Sequence, residues 1–288
     1  MALGNNAMTA PKSYSPRPAS DIRLSVVIPS ADGKREGNLA HLLEDVSRQT
    51  LRPFEVEVVA GVSPNGKARN TGIERCHGDY FIFLDDDVRL GHERVFEALI
   101  RALVEHEDFG ITGTAQQLPP DSSPFQRACA QQISRSQSPV VDTFTDSDMV
   151  TTQCWAMPRR VLDEVGLFND RIVRGVDPEM RHRVRQAGYR IICVPGVWHY
   201  HPMPSTLKAL LRMAWRNGAA SAYARRHFPE TVLYNPEGHV GEFKAQVPLA
   251  YRVLRHAAGL ARDVVTGRWY GLIYRITYVF GNLVGSVR

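Results

Sequence analysis

The run Tyr80-Phe81-Ile82-Phe83-Leu84 is apolar at every position and ends directly on Asp85-Asp86-Asp87. A strand with one face in water alternates apolar and polar residues. A strand apolar throughout is covered on both faces, as in parallel sheets sandwiched between helices. Three adjacent carboxylates at its end repel one another. They are tolerable where a divalent cation offsets the repulsion, because Mg²⁺ or Mn²⁺ takes one or two carboxylates together with substrate phosphate oxygens. A solvated acidic turn is the plain alternative.

The segments around this strand alternate in kind. Leu24-Ser25-Val26-Val27-Ile28 reads as a strand stopped by Pro29. Asn38 opens a helix with Leu39, Leu42, Leu43 and Val46 on one face. Val56–Val59 is a second strand. A Ser-Pro-Asn-Gly turn leads to a short helix from Lys67 to Cys76, with Gly78 as its stop. A helix over residues 93–104 turns Phe96, Leu99, Ile100 and Leu103 inward. Strand–helix–strand order predicts a parallel sheet with right-handed crossovers. In such sheets ligands bind at the carboxyl ends of the strands. Pro29-Ser30, the turn after Val59 and the aspartate triplet all sit there.

Residues 115–147 lack periodicity and predict a long loop over the site. Residues 148–157 read as a strand, 178–187 as a helix, Arg190–Val194 as a strand and 205–226 as a helix. Residues 244–287 predict two helices broken near Thr266-Gly267. Residues 1–20, rich in Ala, Ser, Pro and Asn, read as a disordered tail. The expected organisation is therefore a tail (1–20), a catalytic domain (21–232) and a C-terminal helical extension (233–288).

Composition narrows the class. Hydrophobic residues make up 43% of the 288, enough for a sizeable core. The net charge of +5 is not gathered into a groove-sized stripe of sequence, which argues against a nucleic-acid partner. Cys76, Cys129, Cys154 and Cys193 show no metal-ligand spacing and read as buried thiols of a reducing cytoplasm. No signal pattern and no run long enough to span a bilayer is seen.

Several blocks in order carry a family resemblance: Ser25-Val26-Val27-Ile28-Pro29, Ala68-Arg69-Asn70-Thr71-Gly72-Ile73, Gly78-Asp79-Tyr80, and Phe83-Leu84-Asp85-Asp86-Asp87. The run Arg159 to Asp170, then Val176-Asp177, Arg183 to Ile191 and Val194-Pro195 continue it. Over roughly residues 24–228 the chain resembles glycosyltransferase family 2. The resemblance implies the α/β GT-A fold, a Rossmann-like, mainly parallel twisted sheet flanked by helices. It implies transfer of a sugar from a nucleoside-diphosphate sugar to an acceptor hydroxyl, with Mn²⁺ or Mg²⁺ as cofactor. The acceptor is unassigned among glycans, lipid-linked molecules and small molecules.

The roles below are what the resemblance implies. Asp87 is the metal ligand of the Asp-x-Asp element, supported by Asp85, which serves metal or donor. Asp86 faces the ribose. Pro29, Ser30 and Gly61 line the nucleotide pocket. Arg69, beside Asn70 on the donor side, contacts the base or orders the carboxylates. Asp177 is the base that deprotonates the acceptor. His199 or His201 supplies a metal-binding or phosphate-binding histidine, and their equal parity on an extended segment leaves the choice open.

The chain also departs from the pattern. Ala60-Gly61-Val62-Ser63-Pro64 stands where the family has Asp-Asp-Gly-Ser, so base reading by that carboxylate is lost. The Gln-x-x-Arg-Trp motif is absent, with Trp215-Arg216 only a faint echo, which implies a non-processive enzyme. Two rival readings are a nucleotidyltransferase, whose Gly-x-Gly-x-x-Arg-like loop is missing after the first strand, and a non-catalytic nucleotide-sugar-binding relative.

Structural readings stand beside the functional ones. Asp177 precedes Pro178, and Asp before Pro at a helix start is an N-cap pattern. Arg181 and Arg185 share a helix face and read as a solvated charged face or an acceptor-phosphate site. In the last helix Trp269, Leu272, Ile273, Ile276, Val279, Phe280 and Leu283 recur at near-helical spacing. That stripe either docks on the rest of the protein or lies on a membrane surface through residues 244–288. The expected location is cytoplasmic, with the second option placing the protein peripherally at the inner membrane face.

Overall fold

A computed structural model describes residues 22–231 and 248–287. The expected tail over 1–20 and the expected domain boundary at 232–233 lie outside the described residues.

The strands are β1 (Leu24–Ser30), β2 (Glu55–Ala60), β3 (Tyr80–Leu84), β4 (Arg89–Leu90), β5 (Phe109–Gln117), β6 (Thr145–Asp146), β7 (Cys154–Pro158) and β8 (Arg190–Tyr200). The helices are α1 (Asn38–Ser47), α2 (Asn65–Arg75), α3 (Val95–Glu105), α4 (Pro124–Gln132), α5 (Arg159–Val165), α6 (Asp177–Gln186), α7 (Leu207–His227), α8 (Leu249–Val265) and α9 (Trp269–Val287). The sheet runs β2-β1-β3-β7-β5-β8-β4, with β6 on β8. Strands β2, β1, β3, β5 and β8 share one direction, and β7, β4 and β6 oppose it.

β3 lies where its composition places it, between β1 and β7 with helices on both faces. Ile82 and Leu84 join Val26 and Ile28 of β1 against α1 and α3. Phe81 and Phe83 face the other way, onto Ile73 of α2, Trp155 of β7 and Met180 of α6. Phe81, Ile82, Phe83 and Leu84 are all fully buried. Each contributes about 1.5–3 kcal/mol of burial, so the strand ending on the aspartates is firmly anchored.

The structure corrects several expectations. Pro29 does not stop β1; it pairs with Val59, because pairing with β3 ends at Val27 and no partner there needs the missing N–H. Helix α2 ends at Arg75, before Gly78. Gly78 is required for another reason: a Cβ there would sit 2.3 Å from Ser25 Oγ and 2.7 Å from Arg23 O. The region 115–147 is not one loop. It contains the end of β5, helix α4 and strand β6. α4 opens with Pro124 and a reciprocal cap between Ser123 and Gln126. β7 is shorter than the predicted strand over 148–157, and β8 continues past Val194 to Tyr200.

The two predicted C-terminal helices form, and the break falls between Val265 and Trp269. α9 packs along α7 at glycine contacts: Cβ atoms on Gly218 and Gly281 would lie 2.1 Å from Tyr278 O and 2.3 Å from Trp215 O. Its first turn is tied to α4. Gln132 Oε1 accepts from Tyr270 N and Gly271 N, and Arg268 Nη2 donates to Gln132 O.

Candidate active site

β1 and β3 are neighbours, so their carboxyl ends bring Ser30 and the aspartate triplet together. Ser30 Oγ donates to Asp86 Oδ2 over 2.7 Å and accepts from Gly33 N. Asn38 Nδ2 donates to Asp86 O and Val88 O, which fixes the backbone of the triplet from α1. Gly61 turns the chain after β2 at φ +72°, a left-handed conformation that favours glycine, and its N–H donates to Ser30 O. The ends of β1, β2 and β3 are thereby one rim.

The three carboxylates have different partners. Asp85 meets Arg69, buried on α2, at 2.5 Å. Burial pushes the Asp85 carboxyl up to about 6; Arg69 opposes that, while Asp87 and Asp177 add to it. Burial also raises Asp86, against the hydrogen bond from Ser30 and the charge of Arg35. For Asp87 burial is outweighed: His201 and Arg35 hold its carboxyl below the usual range. Arg35 Nη2 sits 2.5 Å from Asp87 Oδ2, and His201 Nε2 lies 3.6 Å from Asp87 Oδ1.

The two histidines are not equivalent. His199, inside β8, is 2% exposed. Its Nδ1 lies 2.7 Å from Thr114 Oγ1 and its Nε2 3.2 Å from Gln153 Oε1. Burial, with His201 nearby, pushes its ring down to about 3, so it is neutral. His201 lies just past the end of β8 and faces Asp87.

Asp177 is the first residue of α6, and its side chain does not cap that helix. Instead it accepts from Thr152 Oγ1 over 2.7 Å. The next residue, Gln153, receives Asp85 N–H on its carbonyl. The two-residue step Thr152-Gln153 thus ties Asp177 to the triplet. A cleft of about 570 Å³ opens beside Asp87, lined also by Asn38, Arg89, Asp121, Ser122 and Tyr200.

Among the described residues no group of three or more Asp, Glu, His or Cys side chains is preassembled around a cation position. Of the four expected ligands, the structure brings together Asp87 and His201. Asp85 is committed to Arg69, and His199 is sealed behind Gln153 with both ring nitrogens engaged. Two protein ligands suit Mg²⁺ or Mn²⁺, which take their remaining oxygens from phosphate and water. The guanidinium of Arg35 on Asp87 marks where positive charge is wanted.

Three more residues have defined partners. Asn70 engages its amide within the protein: Nδ2 donates to Phe168 O and Oδ1 accepts from Phe168 N, locking the 168 segment to α2. Arg181 and Arg185 are no solvated face. Arg181 is buried with Nη1 on Val150 O, and Arg185 pairs with Asp146 and Asp148. Sequence reasoning missed Arg35, Asn38, Thr152 and Gln153. One signal was available: Asp32 in the loop after β1 accepts from Lys34 N and Arg35 N, an Asx-turn pattern that aims Arg35.

A family model described as glycosyltransferase like family 2 matches residues 18–220. No curated protein matches the chain. Among solved structures, a mannosyltransferase from Pyrobaculum calidifontis in complex with GDP-Man and Mn²⁺ is similar with TM-score 0.57 and 14% identity, over 95% of this chain and 90% of that one. GalNAc-T7 with UDP, GalNAc and Mn²⁺ is similar with TM-score 0.51 and 13% identity, over 82% of this chain and 58% of that one. At these identities the likeness is one of fold.

Proposed function

The chain belongs to glycosyltransferase family 2, and from that premise we propose that it transfers one sugar per encounter, with inversion, from a nucleoside-diphosphate sugar to an acceptor hydroxyl. The observation that carries this reading is the junction at Thr152-Gln153, which holds the Asp177 carboxylate beside the Asp85–Asp87 end of β3.

In this reading Asp177 accepts the proton of the acceptor hydroxyl. The freed oxygen bonds to the anomeric carbon, and the bond to the diphosphate breaks with its electron pair leaving on phosphate. Inversion needs the base on the face opposite the leaving group. Thr152 occupies one lone-pair side of Oδ1 and orients the carboxylate. Pro29, Ser30 and Gly61 line the nucleotide side, and Asp86 faces the ribose. Arg69 offsets Asp85 and keeps the triplet from repelling itself apart. Asp87 and His201 would hold Mn²⁺ or Mg²⁺, which supplies positive charge to the departing diphosphate. Arg35 is the cation of this chain placed to exchange from Asp87 onto a donor phosphate. The turn Ala60-Gly61-Val62-Ser63 carries no carboxylate, so no aspartate of this turn reads the base.

Mass spectrometry of reactions with UDP-, GDP- and dTDP-sugars, with release of nucleoside diphosphate followed in parallel, tests this. The reading requires turnover of at least one donor. Binding of a donor with no turnover in the presence of any glycan, lipid or small-molecule acceptor supports the non-catalytic alternative.

A further inference from the structure

The last two helices turn their apolar residues outward. On α9 the face packed on α7 carries Tyr274, Tyr278, Gly281 and Gly285. The opposite face carries Trp269, Ile276, Phe280 and Leu283, with Phe280 and Leu283 each 58% exposed. These positions fall within one stripe at 3.6 residues per turn. α8 repeats the arrangement. Gly259 and Asp263 meet Arg275 of α9, while Leu254 at 69% and Val265 at 85% exposure point away from that contact. Packing of α9 on α7 and of α8 on α9 therefore uses one face of each helix and leaves a second, apolar one.

The helices that build this region carry charge of one sign. Five Lys and Arg lie on α7, three on α8 and one each in the turn and on α9. The sole carboxylate of these elements is Asp263, fully buried among Arg262, Arg268 and Arg275. Folding thus gathers basic residues that looked dispersed in the sequence. Exposed Leu, Phe and Val do nothing for a phosphate backbone of nucleic acid, whereas an anionic bilayer takes both features, acyl chains for the apolar stripe and headgroups for arginine. No helix among the described residues is long and apolar enough to cross a membrane.

We propose that the α8–α9 hairpin docks the protein on an anionic lipid surface, lying in the interface rather than spanning it. The inner face of the hairpin is tied to the segment that leads to Asp177. Asn217 on α7 donates to Tyr274 OH of α9 and accepts from Arg174, three residues before Asp177. On the proposed glycosyl transfer the membrane would be the source of the acceptor. Docking itself does not depend on that transfer.

The test is co-sedimentation of the full chain with vesicles of phosphatidylglycerol and of phosphatidylcholine. Expected are binding to phosphatidylglycerol at low salt, weakening as salt is raised, and little binding to phosphatidylcholine. Phe280→Glu/Leu283→Glu, at exposed positions, keeps the melting temperature and weakens binding by about tenfold or more. No sedimentation with phosphatidylglycerol at low salt overturns the proposal, as does unchanged binding by the folded double variant. A dimer in light scattering that the double variant converts to monomer, without vesicle binding by either, assigns the face to a second copy and also overturns it. Because the readout is sedimentation, it stands or falls separately from donor turnover.

Discussion

Thr152 Oγ1 donates to Asp177 Oδ1 across 2.7 Å, so the candidate base is held by a hydroxyl from the segment entering β7 and not by the helix it begins. That relationship shapes the first prediction. Asn at 177 presents a carbonyl oxygen to the same hydroxyl but cannot accept the acceptor proton. Asp177→Asn is expected to keep the melting temperature and donor binding while transfer falls by about 10²–10⁴-fold. Near wild-type transfer by this variant puts the base elsewhere.

Arg69 is 1% exposed, and its one ionic partner among the described residues is Asp85. Removing one member of a buried pair leaves the other charge uncompensated, at a cost of roughly 3–5 kcal/mol. Asp85 keeps some solvent contact, so the lower end applies. Arg69→Met is expected to destabilise by about 3 kcal/mol in urea unfolding, and adding Asp85→Asn is expected to recover part of that. A double mutant no more stable than Arg69→Met shows that the pair is not the cause.

The α7–α9 contact depends on hydrogen at Gly218. A methyl there meets the backbone of Tyr278 at 2.1 Å, and backbone cannot move aside as a flexible side chain can. Gly218→Ala is expected to force the helices apart, costing about 1–3 kcal/mol, and to expose the hairpin to limited proteolysis before the sheet. A cleavage pattern identical to wild type contradicts this.

All four cysteines are buried and free. Burial pushes the thiols of Cys76 and Cys129 up to about 11, and those of Cys154 and Cys193 to about 12. Thiolate is the reactive form. Ellman's reagent at pH 8 is therefore expected to find no fast-reacting thiol in the folded protein and four after guanidinium denaturation. A thiol modified within seconds in the native state refutes the burial.

What the sequence revealed follows from how local each signal is. β3 and its aspartates were readable because a two-face burial pattern is written in five consecutive residues. β5 was not: Gly110 and Gly113 interrupt its apolar pattern because Tyr189 and Val150 occupy the space where their side chains would be. α4 escaped because it buries only Cys129 and Ala130, although its Ser123–Gln126 cap and Pro124 were legible. Parity placed His199 and His201 on one side, but not the depth of β8, which seals the first and frees the second at its end. Arg35 reaches Asp87 across fifty-two positions of sequence, a contact that no local pattern records.

In the proposed site a divalent cation at Asp87 and His201 completes the place for a nucleoside-diphosphate sugar. Isothermal titration of UDP, GDP and dTDP into the wild type and Asp87→Ala, with Mn²⁺ and with excess EDTA, probes that cation. At least one nucleoside diphosphate is expected to bind the wild type with Mn²⁺, and EDTA or Asp87→Ala is expected to abolish the binding while the variant stays folded by circular dichroism. Equal affinity in EDTA and in Mn²⁺, or an unchanged affinity in Asp87→Ala, contradicts it.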